Sequence, residues 1–320
     1  MTKQRSKTDF LNTTLGVVLA AVACNLLWGS ASPCIKLGYR LFDIAAADSM
    51  SQILFAGLRF TLAGLMTLAF GSALERRPLL PARGSVGSIV LLALMQTVIQ
   101  YTFFYLGLAR APGFKGSIIS PSSAFFAVLL ASLVFRQEKL TARKLLGCAL
   151  GFAGIVVINL KNAGGDAGFR LTGEGFLLLS TFSYACSTVL IKRFSQRENP
   201  VALSGWQFVL GGSVMILAGL LFGGRLHPQR PAAWLLMGYL AFLSAAAYTL
   251  WSLLLQRHPV SRITVFSFCN PIFGVFLSAL LLGEGDQLDL PRCLLALAMV
   301  TLGILTVNGA SPRQKPQTDP

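Results

Sequence analysis

Ten apolar stretches of 15 to 24 residues divide this chain, and nine of them contain no Asp, Glu, Lys or Arg. They cover residues 15–35, 53–73, 86–109, 116–135, 145–160, 175–191, 201–222, 234–255, 263–282 and 293–307. Crossing a hydrocarbon layer ~30 Å thick takes about 20 apolar residues in a helix. A segment lying in lipid must satisfy its backbone internally, so each stretch is expected to be a helix. The fifth and tenth, at 16 and 15 residues, are short for that task, so either flanking residues such as Ala142 or Leu290 extend them or the bilayer thins locally. The fold class is therefore all-α integral membrane, with ten transmembrane helices. Between the stretches lie only short connections, with no room for a soluble domain, so function is expected inside the membrane.

Composition agrees. Of 320 residues, 54% are hydrophobic and 12% charged, against roughly one-quarter charged in soluble proteins. The net charge of +15 would suit nucleic acid only if the basic residues gathered on one face, and they are instead scattered through the loops, so no nucleic-acid partner is expected. The termini and even-numbered loops hold 17 of the 27 basic residues, the odd-numbered loops nine, and Arg59 the last. The positive-inside rule then puts both termini in the cytoplasm of a multi-pass cell-membrane protein. Met1 to Lys7 followed by Ala21-Val22-Ala23 resembles a signal peptide, but the apolar run continues past that site to Ile35. The six cysteines fall singly, with no C-x-x-C pair and no metal-ligand spacing, and read as packing residues. Neither metal nor cofactor is expected.

The second half repeats the first at a nearly constant offset. Trp28 through Ile35-Lys36 aligns with Tyr184 through Ile191-Lys192 at an offset of 156. Gly57, Phe60, Leu62 and Gly64 align with Gly205, Phe208, Leu210 and Gly212 at 148. Tyr101, Thr102 and Arg110 align with Tyr248, Thr249 and Arg257 at 147; Glu138 and Asn159 align with Glu284 and Asn308 at 146 and 149. A unit with an odd number of spans re-enters from the opposite side, so two five-helix units are expected as inverted repeats around a central cavity. Expected boundaries are a tail at 1–14, a first repeat at 15–160, an extracytoplasmic loop at 161–172, a second repeat at 173–308 and a tail at 309–320.

Trp28-Gly29-Ser30 with Lys36, Arg59-Phe60, and Asn270-Pro271 followed by Gly283-Glu284 resemble the drug/metabolite transporter superfamily, in its ten-helix EamA-type members. Phe135-Arg136-Gln137-Glu138 is similar to the same end-of-repeat pattern in degraded form. Phe125 stands in the register of Pro271, with Pro121 four residues earlier. The resemblance implies a basket of helices around a cavity and export of amino acids, other metabolites or drugs; substrate does not travel with fold.

Several residues carry a functional and a structural reading side by side. Arg59, alone among ionisable groups well inside a span, could bind an anionic group or snorkel to the outer surface. Its repeat partner is Gln207. Gln96 and Gln100, Tyr101 and Tyr105, and Tyr248 with Trp251 form stripes at helical spacing that suit a semi-polar cavity or an interfacial belt. Trp28 and Tyr184 could line the same space. Ser120 beside Pro121, and Asn270 beside Pro271, mark interruptions that free backbone carbonyls or merely kink the helix; Pro33 is a third helix-break candidate. Asn25, Gly29 and Ser32, like Ser180, Ser183 and Ser187, suit close helix packing. Glu138 and Glu284 are expected to cap loops.

The sequence holds no P-loop, and its two histidines, His227 and His258, sit singly in loops, so no enzyme and no ATP-driven pump is expected. The remaining reading is a secondary transporter for a small molecule, working by alternating access, with lipid as its other partner; a passive channel is the alternative. No oligomeric state is implied.

Overall fold

The computed structural model describes residues 10–45, 47–82, 84–108, 119–159, 170–282 and 290–308. Among these residues every regular element is helical, and ten helical segments follow one another. α1 is Thr14–Leu41, begun by Thr13, whose hydroxyl accepts from Gly16 N at 3.0 Å. α2 is Ser49–Glu75, begun by Asp48 and ended at Arg76, which takes the left-handed conformation at φ 54°. α3 joins Val86–Leu92, a π-helical stretch Ala93–Ile99, and Gln100–Leu108. α4 is Ser122–Leu129 continued by a π-helical Leu130–Val134. α5 is Ala142–Asn159 and α6 is Leu171–Phe194. α7 is Pro200–Leu221, capped by Asn199, and α8 is Pro231–Arg257. α9 joins Val260–Thr264, a 3₁₀ turn Val265–Phe268 and Cys269–Leu282, and α10 is Leu290–Asn308. Proline leads both α7 and α8, where its missing N–H costs nothing. Among the described residues, six helices are long and apolar enough to cross a membrane. The two shortest apolar runs begin their helices at Ala142 and Leu290, so flanking residues extend them. Most of the tails and of loop 161–172, together with Arg110, Ser117, Gly283 and Glu284, lie outside the described residues.

The molecule is turned inside out relative to a soluble protein. Leu221 and Leu235 are 80% and 78% exposed, while Asn25, Thr97, Gln207 and Ser244 are fully buried. Apolar side chains facing outward meet lipid, so the polar ones collect between helices.

Helix pairing follows the repeat. α2 packs on α7 and α5 on α10; α1 packs on α8 and α9, and α6 on α3 and α4. Advancing each helix by five exchanges every one of these pairs with another in the set, which is the signature of an internal twofold. The central pair is antiparallel. A Cβ added at Gly57 would lie 2.9 Å from Gly212 O, and one at Gly64 would lie 2.6 Å from Gly205 O. Rising numbers on α2 meet falling numbers on α7, and the four glycines let the two backbones touch. Gly147 against Gly303 and Gly154 against Ala296 show the same antiparallel run for α5 and α10.

The helix-break candidate Pro33 is placed within a continuous helical segment, α1, which runs on to Leu41. Proline removes the bond to Gly29 O, but Phe273 and Gly274 of α9 pack closely against that turn and hold it.

Candidate functional site

The twofold runs through a cluster of aromatic side chains. The hydroxyls of Tyr101 and Tyr248, which are repeat mates, lie 2.9 Å apart in a hydrogen bond. Phe60 and Phe208, also repeat mates, stack at 5.2 Å between centroids and 21° between planes. Phe60 sits 4.4 Å from Tyr101, and Phe208 sits 5.0 Å from Tyr248. Residues related by an axis can touch each other only on that axis. An axis relating inverted repeats lies in the membrane plane, so this cluster occupies mid-membrane. Trp28 of α1 extends it, 5.1 Å from Tyr248 and 5.0 Å from Trp251.

Polar groups flank the axis in matching pairs. Arg59 Nε donates to Ser244 Oγ at 3.0 Å and Leu240 O at 3.3 Å. On the other side Thr97 Oγ1 donates to Gln207 Oε1 at 2.8 Å. Arg59 and Gln207 are mates at an offset of 148, and Thr97 and Ser244 at 147, so one geometry is built twice with different chemistry. The π-helical stretch of α3 carries Gln96 and Thr97; the extra residue per turn there shifts the face presented to α7. Arg59 is 2% exposed, and its Nε is held by interior groups of α8, so the snorkelling reading is corrected. With carbonyl and hydroxyl acceptors a few ångströms away, the guanidinium has no reason to reach for the surface.

The remaining candidates divide. Tyr105 is buried beside Tyr101, and Tyr184 packs at the edge of the same cluster. Trp28 Nε1, Trp251 Nε1 and Gln207 Nε2 are buried there without partners, and Gln96 Nε2 and Gln100 Oε1 are likewise unpartnered on α3. Such atoms cost free energy unless something occupies them. Ser120 and Pro121 stand in the turn that starts α4, where Ser120 O accepts from Ser123 N at 3.2 Å. Asn270 and Pro271 open the last part of α9, directly after its 3₁₀ turn. Neither pair makes a described contact with the aromatic cluster. Thr97, Ser244, Phe60, Phe208 and Tyr39 belong to the site and were not singled out for it by sequence; the 147–148 offset, applied to every polar or aromatic residue of α2, α3, α7 and α8, finds the first four.

The face bearing the chain termini is cross-tied between repeats. Glu138, following α4, accepts from Ser261 N at 3.0 Å and from Ser261 Oγ at 2.7 Å at the start of α9, and pairs with Lys144 Nζ at 2.9 Å. His258 donates to Leu11 O at 2.8 Å, and within the second repeat Gln256 Nε2 donates to Ser195 O. Asn199 bonds Glu75. The cap expected of Glu138 is thus made, across the repeat boundary.

An antiparallel pair of five-helix units in lipid, meeting at a buried polar and aromatic centre, defines a polytopic membrane transporter. The description EamA-like transporter family matches residues 14–160 and 171–309, one match per repeat. The chain belongs to that family, within the drug/metabolite transporter superfamily, and is a multi-pass membrane transporter rather than an enzyme. It is 28% identical over 290 residues to an "Uncharacterized transporter sll0355" of Synechocystis, covering 85% of this chain and 84% of that one. It is 28% identical over 273 residues to a Salmonella typhimurium protein named "Probable amino-acid metabolite efflux pump", covering 81% and 84%. An "Uncharacterized inner membrane transporter YedA" of Escherichia coli K12 is 27% identical over 300 residues, covering 89% and 90%. A solved crystal structure superposes with a TM-score of 0.74 at 20% identity, over 92% of this chain and 97% of that chain, which speaks to the fold.

Proposed function

We propose that this protein is a secondary transporter that exports a small metabolite, amino acid or drug-like molecule across the cytoplasmic membrane by alternating access. The supporting observation is that repeat mates touch at the centre, Tyr101 with Tyr248 and Phe60 with Phe208. Inverted copies can exchange conformations, and exchange opens one face while closing the other around a fixed centre. Trp28, Arg59, Gln96, Gln100, Tyr101, Tyr105, Tyr184, Gln207, Tyr248 and Trp251 form the solute site in this reading. Ser120 with Pro121, and Asn270 with Pro271, are the hinge positions of α4 and α9. The units are 15–160 and 173–308; the loop 161–172 is extracytoplasmic, and both tails are cytoplasmic, as the distribution of basic residues favours.

The purified protein in liposomes, preloaded with unlabelled solute, is expected to accumulate labelled solute transiently by counterflow with saturable kinetics. The solute is first found as an intracellular pool depleted on overproduction. Gradient-driven flux that neither saturates nor exchanges would instead establish the passive channel.

A further inference from the structure

The internal symmetry isolates one unbalanced charge. At Gln207 the scaffold holds a neutral amide whose oxygen accepts from Thr97, so packing around the axis does not need a cation there. At Arg59 the same position holds a guanidinium that is 2% exposed. Its Nε is spent on Ser244 and Leu240. Among the described residues its two terminal nitrogens meet no hydrogen-bond acceptor, and no carboxylate pairs with it. An uncompensated buried cation is strongly disfavoured and becomes stable when an anion completes it.

Other donors face the same place. Tyr39 OH and Tyr105 OH are buried next to each other and interact with one another, and both lie within electrostatic reach of Arg59. A planar guanidinium with two phenolic hydroxyls suits the two oxygens of a carboxylate. Phe60, whose ring centroid is 5.1 Å from the Arg59 guanidinium carbon, begins an apolar wall that continues through Tyr101, Tyr248 and Trp28. The ten apolar stretches hold no Asp or Glu, and Glu174, buried at the start of α6, accepts from Arg170 N, so no carboxylate is described beside the cluster to meet an ammonium on the solute.

We propose that the Arg59 flank of the axial cluster is the carboxylate end of the solute site, and that the solute class is an aromatic or branched apolar monocarboxylate carrying no amino group. The proposal rests on the transporter reading above and names the chemistry of its site.

Binding is measured on the full-length protein in nanodiscs, using three acids (phenylacetate, indole-3-acetate and 4-methyl-2-oxopentanoate), the amide of each, and the amino acids phenylalanine, tryptophan and leucine. Each acid is expected to bind at least tenfold more tightly than its amide and than the matching amino acid. Arg59→Gln, which copies the other repeat, is expected to erase the acid preference; Arg59→Lys is expected to keep part of it. Amides that bind as well as acids, amino acids that bind more tightly than acids, absence of saturable binding by every acid, or an undiminished preference in Arg59→Gln would each overturn it. Should Arg59→Gln fail to fold, the wild-type acid–amide comparison decides alone. Acid binding without counterflow sinks the carrier reading and leaves the site; counterflow of neutral or cationic solutes with no carboxylate preference sinks the site and leaves the carrier.

Discussion

Arg59 and Gln207 occupy equivalent places, yet only one carries a charge, and the difference lies in what each bonds: Ser244 with a main-chain carbonyl in one case, Thr97 in the other. Ser244→Ala is therefore expected to loosen the guanidinium more than the fold. Loss of one hydrogen bond to a charged group costs about 1.5–3 kcal/mol, to be read as a lowered melting temperature and weakened solute binding. Away from the membrane interior, burial pushes the His258 imidazole below its usual pKa of 6.5, opposed by its bond to Leu11 O and reinforced by Arg262, Lys192 and Arg257. A group with a depressed folded pKa supports the fold above its unfolded value and withdraws that support as pH falls through it. Thermal melts are expected to show stability dropping as the pH is lowered past about 6.5, and a smaller drop in His258→Gln. Sequence reading found Arg59 as an oddity and could not orient it, because snorkelling and burial differ only in which carbonyls lie nearby. It found Tyr101 and Tyr248 as mates, but a pair list does not reveal that mates touch.

At the level of helices, the seam between α2 and α7 rests on four glycines. A methyl at Gly57 would meet Ile216 N at 2.7 Å and Gly212 O at 2.9 Å, both main-chain atoms that cannot swing aside. Gly57→Ala is expected to destabilise the protein by about 1–3 kcal/mol, as overpacking does, with a lower melting temperature in detergent as the readout. Span positions were legible as charge-free runs, including the extension of α5 and α10 to Ala142 and Leu290. Interruptions were less so. Pro271 does follow a 3₁₀ turn, whereas Pro33 leaves α1 intact, and the π-helical stretch of α3 contains neither proline nor glycine to announce it. Packing, not composition, decides whether a missing hydrogen bond bends a helix. Glu138 ties the end of α4 to the start of α9 through two bonds to Ser261, and pairs with Lys144 of α5. Glu138→Gln is expected to free this tie, measured as faster labelling of a cysteine placed at Ser204 by a membrane-impermeant reagent from the face bearing the termini.

Over the whole molecule, the inverted architecture was readable from parity and offset alone, since an odd number of spans forces the second copy upside down. Its centre was not, because where two repeats touch depends on three-dimensional closure. Reporter fusions at residues 1 and 320 are expected to give cytoplasmic signals, and one inserted at residue 165 the opposite signal. The axial position of the aromatic cluster carries a thermodynamic corollary. If the two halves merely trade shapes, a passenger resting on the axis meets the same surroundings whichever door is open, and its dissociation constants toward the two compartments are equal. Mismatched mates, foremost Arg59 opposite Gln207, then break that equality, and any built-in preference for loading from one compartment must originate with them.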